Sequence, residues 1–309
     1  LGVPGGSLLG ASLGQEATRQ LGGRTVTVVT DEAFGTLYRV AEGVYAMISD
    51  PLAPDGAGRF TLCNGGFIAG TEGVLVVEAF GSAEGAAWIG EQAKRLTGVA
   101  PTHQVITHYH RDHSDGLGGI EGVEIRATAR TRDLIEAGWA EADSRAGRPL
   151  PRAGIDSIDP LTLDLGSITA RIAPRDGHTP SDVTVEATSA AGQRSIFCGD
   201  LVWKDMFPNF VDALPGRLAQ SVRSIGAHED VVYIPGHGDL AEAGDLERYM
   251  EVLEDVETHA RAAIEAGTPL EEAAAAYAVP AEFGEWFRFS QNYYERAFLS
   301  WYRSMGVVG

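Results

Sequence analysis

The chain has 309 residues, 44% of them hydrophobic, enough to bury a sizeable core in one large domain or two smaller ones. Its 43 acidic residues against 24 basic ones give a formal net charge of −19, which disfavours phosphate backbones and with them a nucleic-acid role. No apolar run is long enough for a transmembrane segment, and two cysteines, Cys63 and Cys198, make no disulfide framework and read as ordinary buried thiols.

Residues 1–24 read as a flexible leader. Within it, residues 1–14 are small, apolar and glycine-rich, like the hydrophobic part of an export signal, which favours a periplasmic or secreted protein. Residues 25–309 read as a single domain with a helical C-terminal tail. Strands are expected at 25–29, 37–40 and 44–48, followed by a loop rich in Pro, Asp and Gly at 50–58. Residues 66–70 and 73–78 form a hairpin of buried strands joined by Thr71 and Glu72. A helix is expected over 82–96, where Ser82 can cap and Ala86, Ile89, Ala93 and Leu96 share one face.

A short strand at 104–106 comes next, then a strand at 123–126, a helix at 128–142 and a loop at 143–160 carrying Arg145, Arg148 and Arg152. Strands follow at 161–165, 167–173, 183–187, 194–197 and 231–234. The remainder reads as three helices, at 245–266, 268–278 and 282–305. Thr268-Pro269-Leu270-Glu271 is a good start for the second, with a cap, a first-turn proline and a capping-box glutamate. The aromatic residues of the last, from Trp286 to Tyr302, read as core or as the face of a homodimer.

The stretch Thr107-His108-Tyr109-His110-Arg111-Asp112-His113 stands where the strand at 104–106 gives way to a turn. His108 and His110 are two apart, so an extended backbone points both to one side. Asp112 and His113 follow at a bend and can face a second point nearby. Imidazoles with a carboxylate at this spacing suit a borderline divalent cation such as zinc. Three later residues repeat the setting, each just past a strand and beside a glycine: His178, Asp200 and His237. Strand ends are where sheet-based domains form ligand sites. His103, His228 and His259 lack this setting and read as surface or packing residues.

The His-x-His-x-Asp-His run, the later Gly-His-Thr-Pro, the Gly-Asp after a strand and the final Gly-His together resemble the metallo-β-lactamase-fold superfamily. The resemblance implies an α/β fold, a four-layer αββα sandwich, with a two-metal site at one edge of the paired sheets. It implies that His108, His110 and His178 hold one metal, that Asp112, His113 and His237 hold the second, and that Asp200 bridges them. Asp200 stands where the best-known antibiotic-hydrolysing members have Cys, so the chain is similar to the all-His/Asp branch of lactonases and thioesterases. Two departures stand out. Glu78 occupies a position that is usually Asp and supports the ligand loop. Trp203, followed by Lys204, occupies the position of a substrate-binding Lys in some β-lactamases, which makes both weak substrate-binding candidates.

The cofactor implied is two zinc ions, with iron or manganese as other metals of such a site. A divalent cation lowers the pKa of its water, and the hydroxide attacks a carbonyl of a β-lactam, lactone, ester or thioester. Asp112 is the candidate to orient that nucleophile and accept its proton. Glu78, Asp115 and Asp176 are candidates to anchor the outer imidazole nitrogens. The partner expected is a small-molecule substrate. The competing reading is a mononuclear iron oxidoreductase acting on sulfur compounds, as some members of the fold are; the presence of both ligand sets argues against it. A binding protein with a vestigial site is a third reading, which the full ligand set disfavours.

Overall fold

In a computed structural model the chain is described at residues 17–50, 61–141, 151–155 and 160–308. The export-signal stretch, most of the loop at 50–58, and Arg145 and Arg148 lie outside the described residues. The first sheet opens with β1 (Thr18–Leu21), β2 (Arg24–Glu32), β3 (Gly35–Ala41), β4 (Val44–Ser49), β5 (Gly65–Ala69) and β6 (Val74–Val77), an antiparallel series in sequence order. It continues through β7 (His103–Val105), β8 (Glu124–Thr128) and β9 (Arg152–Ile155), all parallel. The second sheet holds β10 (Leu161–Asp164), β11 (Thr169–Arg175), β12 (Asp182–Thr188), β13 (Arg194–Trp203) and β14 (Val231–His237); only its last pair is parallel.

The helices are α1 (Ala83–Thr97), α2 (Arg111–Ser114), α3 (Ala129–Glu141), α4 (Pro215–Ile225), α5 (Ala243–Glu265), α6 (Leu270–Ala276) and α7 (Tyr293–Ser304). Alternation along the strands explains the layering, because successive side chains leave opposite faces of a sheet. Val26, Val44, Ile68, Leu75 and Val77 of the first sheet meet Ile172, Val183, Val185, Phe197 and Ile234 of the second in one apolar layer. The opposite face of the first sheet, with Phe67, Val74 and Val76, packs on Trp88, Ile89 and Ala93 of α1. Ile135 of α3 covers Ile125 and Ala127 of β8. On the far side, Val231 and Tyr233 of β14 pack with Leu218, Val222, Leu246, Val252, Phe298 and Trp301 from α4, α5 and α7. The order is therefore helix, sheet, sheet, helix, the αββα sandwich expected.

Local signals account for several elements. The Ser82 hydroxyl accepts from the Gly85 N–H at 3.0 Å, and Gly98 ends α1 in a left-handed conformation. Cys63 and Cys198 are both free and buried. Four readings change. Residues 18–21, read as part of a flexible leader, form the edge strand β1, with Arg19 paired to Asp239. Strand β9 falls in a stretch read as loop, and α4 was not foreseen.

The long final helix is the fourth change. A short 3₁₀ turn spans Ala281–Phe283, Gly284 takes φ +89°, and α7 begins only at Tyr293. Backbone pairing replaced helix bonds between them: the Phe287 N–H donates to Asp205 and the Phe207 N–H to Phe287. The tail aromatics Tyr293, Phe298, Trp301 and Tyr302 are buried in the core, while Phe287 is exposed.

Candidate metal centre

Glu78 follows β6 with φ +80°, and its backbone N–H donates to Val105, so the chain leaving β6 is tied to the end of β7. Past β7 the chain bends at Thr107 and His108, is extended at His110 (φ −59°, ψ 151°) and then enters α2. These changes of backbone gather the imidazoles: the His108 ring centroid lies 4.7 Å from that of His110 and 4.1 Å from that of His113. The segment is held to the second sheet by the Val183 N–H, which donates to Thr107.

The other three donors come from the second sheet. His178 lies in the turn after β11, which Asp182 clamps by accepting from the Thr179 N–H and hydroxyl. Asp200 lies within β13 where its register against β14 slips, around Gly199 at φ +53°. His237 ends β14. Asn64 grips the backbone on both sides of His237: its N–H donates to Gly236 and its side-chain amide to Gly238, each at 2.7 Å.

All seven predicted donors converge. One donor atom each from His108, His110, His178 and Asp200 lie within 4.8 Å of one another, as do those of Asp112, His113 and His237. His178 Nε2 is 3.0 Å from His110 Nδ1. His237 Nε2 is 3.1 Å from Asp112 Oδ2. Asp200 faces both groups: Oδ1 lies 3.0 Å from His113 Nε2, and Oδ2 lies 3.3 Å from His178 Nε2 and 3.4 Å from His237 Nε2.

The donor set suits a divalent cation. His108 Nε2 is buried without a hydrogen-bond partner. An unsatisfied buried polar group costs about 1–3 kcal/mol, which a coordinating ion would relieve. Charge points the same way. Burial holds His108 well below the ordinary imidazole range and His178 down at about 3, as neutral ligands require. Burial also pulls on His113 and His237, but neighbouring groups overcome it. Cys63, then Asp200, Asp112 and Glu78, raise His113 above its ordinary value, and Asp200 and Asp112 bring His237 up to about 9. The pocket thus attracts positive charge.

Around the donors, Glu78 takes the supporting place that its position suggested. Its Oε1 is 3.1 Å from His113 Nδ1 and accepts from the Thr107 hydroxyl, while Oε2 accepts from the Thr107 N–H. Asp115 pairs instead with Arg111, and Asp176 with Arg217. Trp203 is buried with its ring 4.3 Å from that of His237. Lys204 is drawn to Asp245 at the start of α5. His103, His228 and His259 bond locally, to Thr102, Tyr233 and Asp255 respectively.

Sequence reasoning missed Asp212, Phe289 and Asn64. Asp212 Oδ2 lies 2.9 Å from His110 Nε2, and it comes from the irregular segment between β13 and α4. Phe289 places its ring 6.0 Å from His237 and 6.1 Å from Trp203. No motif marks any of the three; each is set by tertiary contact.

A His/Asp cluster at the strand ends of an αββα sandwich defines a metallohydrolase-type fold. Residues 58–237, more than half of the chain, match the family described as the metallo-beta-lactamase superfamily, and the chain belongs to it. A hydroxyacylglutathione hydrolase of Cupriavidus taiwanensis is 24% identical over 143 residues, 42% of this chain. The match spans 47%, about half, of that relative's length. Among solved structures, a metallo beta lactamase from Erythrobacter litoralis gives a TM-score of 0.57 at 19% identity, covering 74% of this chain and 99% of that one. The sec-alkylsulfatase Pisa1 from Pseudomonas sp. gives 0.70 at 14% identity, covering 89% of this chain and 51% of that one. These structural likenesses concern the fold. Among the described residues no helix is long and apolar enough to cross a membrane.

Proposed function

We propose that the chain is a binuclear zinc hydrolase that cleaves a carbonyl bond of the ester and thioester type, lactones and β-lactams included. The observation that carries this reading is Asp200, whose two oxygens face histidines of both donor groups. His108, His110 and His178 would hold one ion, Asp112, His113 and His237 the other, and Asp200 both. Bound divalent ions supply Lewis acidity, which lowers the pKa of a water and polarises a carbonyl. The all-His/Asp donor set, together with the likeness to a hydroxyacylglutathione hydrolase, favours the thioester or ester over the β-lactam.

The chain's own residues supply the rest. Asp112 is 31% exposed at its side chain, in contrast to the buried His113 beside it, so it meets an incoming molecule. Burial opposes its ionisation, but His113 and His237 keep it below the ordinary carboxylate range. It is therefore ionised and acts as a hydrogen-bond acceptor that orients a water for attack. Trp203 and Phe289 form an apolar wall beside His237 that excludes bulk water.

The test is elemental analysis of the purified protein, followed by a panel of thioesters, esters, lactones and β-lactams. About two zinc ions per chain with turnover of a panel member supports the reading. One iron per chain with oxidation of sulfur compounds overturns it. His110→Ala should abolish turnover and weaken metal binding while the thermal unfolding of the core persists; normal turnover would overturn the ligand assignment.

A further inference from the structure

A cavity of about 1210 Å³ lies between the 210–217 segment and α7. Asp212 forms part of its wall and is the residue bonded to His110, so the cavity adjoins the metal centre. Apolar side chains such as Val211, Leu214 and Met305, all more than a third exposed, line it. Its charge is out of character with the chain. Arg217, Arg261, Arg296 and Arg303 face two carboxylates, Asp212 and Glu295, although the molecule as a whole carries −19.

Arg296 differs from its neighbours there. Arg217 lies 3.5 Å from Asp176, and Arg261 pairs with Glu257. The Arg296 guanidinium donates to the neutral Asn209 side chain at 3.0 Å and sits over the Tyr293 ring at 5.4 Å. Among the described residues it has no ion pair, and it is half-buried. Partly desolvated guanidinium groups normally hold a carboxylate or phosphate, often through two parallel hydrogen bonds. Tyr293 in turn lies 6.5 Å from Trp203, whose ring is 4.3 Å from that of His237. Arg296 is thus a lining residue of the cavity, with the buried rings of Tyr293 and Trp203 between it and His237, while Asp212 is the lining residue that touches the donors. Arg296 also lies outside residues 58–237, the part shared with the family.

We propose that Arg296 recognises an acidic group on the substrate, whose apolar arm occupies the cavity between the 210–217 segment and α7. This rests on the hydrolase reading and narrows it to esters or thioesters carrying a carboxylate several bonds from the scissile carbonyl. The apolar lining accommodates the methylenes between the two ends. Arg296 keeps its contact with Asn209 and offers its remaining N–H groups to the acid.

The test compares 4-nitrophenyl hydrogen glutarate with the uncharged 4-nitrophenyl pentanoate on the metal-loaded protein. Wild type should prefer the acid. Arg296→Ala should lower kcat/KM for the acid at least about tenfold, chiefly through KM, and leave the neutral ester unchanged. Arg296→Lys should restore part of the preference, which a merely structural role would not do. Calorimetric titration with glutarate reads the same contact without turnover. An equal ratio for the two esters in wild type and Arg296→Ala, or unchanged glutarate binding in the variant, overturns the proposal. Failure of wild type to hydrolyse either ester, with glutarate binding still dependent on Arg296, counts against the hydrolase reading and leaves acid recognition standing.

Discussion

Asp212 Oδ2 lies 2.9 Å from His110 Nε2, although the two residues stand 102 positions apart. The opposite ring nitrogen, Nδ1, faces His178 at 3.0 Å, so this carboxylate fixes which nitrogen of His110 is free to bind. Asp212→Ala should weaken zinc affinity about 10–100-fold, since outer partners of ligand imidazoles carry effects of that size. Competition against a chelator of known affinity measures it. Asp212→Asn, which keeps a hydrogen-bond acceptor, should lose less.

The charge pattern predicts a proton count. His237 is raised to about 9. It is therefore protonated at pH 7.5 before metal enters, and ligation requires it neutral. Zinc addition in weak buffer at pH 7.5 should release about one proton per chain from His237, read by a pH-stat. Release near zero would show that Asp200 and Asp112 do not hold this imidazole charged.

A stability trend has the same origin. A histidine with a raised folded pKa stabilises fully below its unfolded value near 6.5, and that contribution is lost as pH climbs through the folded value. For His237 the window runs from about 6.5 to about 9. Metal-free protein should lose resistance to urea across that window, and zinc-loaded protein should not show the same loss. Urea midpoints at stepped pH check this.

Gly236 admits no side chain. A Cβ there would stand 1.9 Å from Asp200 Oδ1 and 2.8 Å from the Gly199 carbonyl carbon. Gly236→Ala should displace Asp200 and remove metal binding at both donor groups together, checked by elemental analysis of the purified variant. Full occupancy would show that β13 and β14 move apart more readily than their pairing suggests.

Glu78 is buried at φ +80° and serves His113 and both donors of Thr107. Glu78→Ala leaves these groups unpaired, at about 1–3 kcal/mol for each buried donor. The urea midpoint should fall accordingly, and zinc affinity should fall with it because His113 loses its anchor. Unchanged stability would mean that the loop holding His108 to His113 is set by other contacts.

The clustering of the candidate donors was legible in the sequence because their signals are local. His108 to His113 are contiguous, and His178, Asp200 and His237 each sit next to a glycine at a strand end. Their partners were not legible. Asp212 reaches the site from the segment after β13, Phe289 from the stretch before α7, and Asn64 from just before β5 through its bonds to Gly236 and Gly238, and none of these approaches is marked by a local motif. The break before α7 has the same cause. Residues 282–305 have helical composition, yet Phe287 found backbone partners at Asp205 and Phe207, which helix periodicity does not foresee. Strand β1 was overlooked because an edge strand with one neighbour needs little apolar patterning, and its burial alternates only between exposed and partial.

The donors divide four and three along the chain's order of synthesis. His108, His110, Asp112 and His113 leave the first sheet, while His178, Asp200 and His237 leave the second, and the last of them closes β14. Neither donor group is complete within either sheet alone. A nascent chain therefore has no finished site until His237 has emerged and the two sheets have docked. An ion captured there would arrive late in folding and act as a rivet between two halves made at different times.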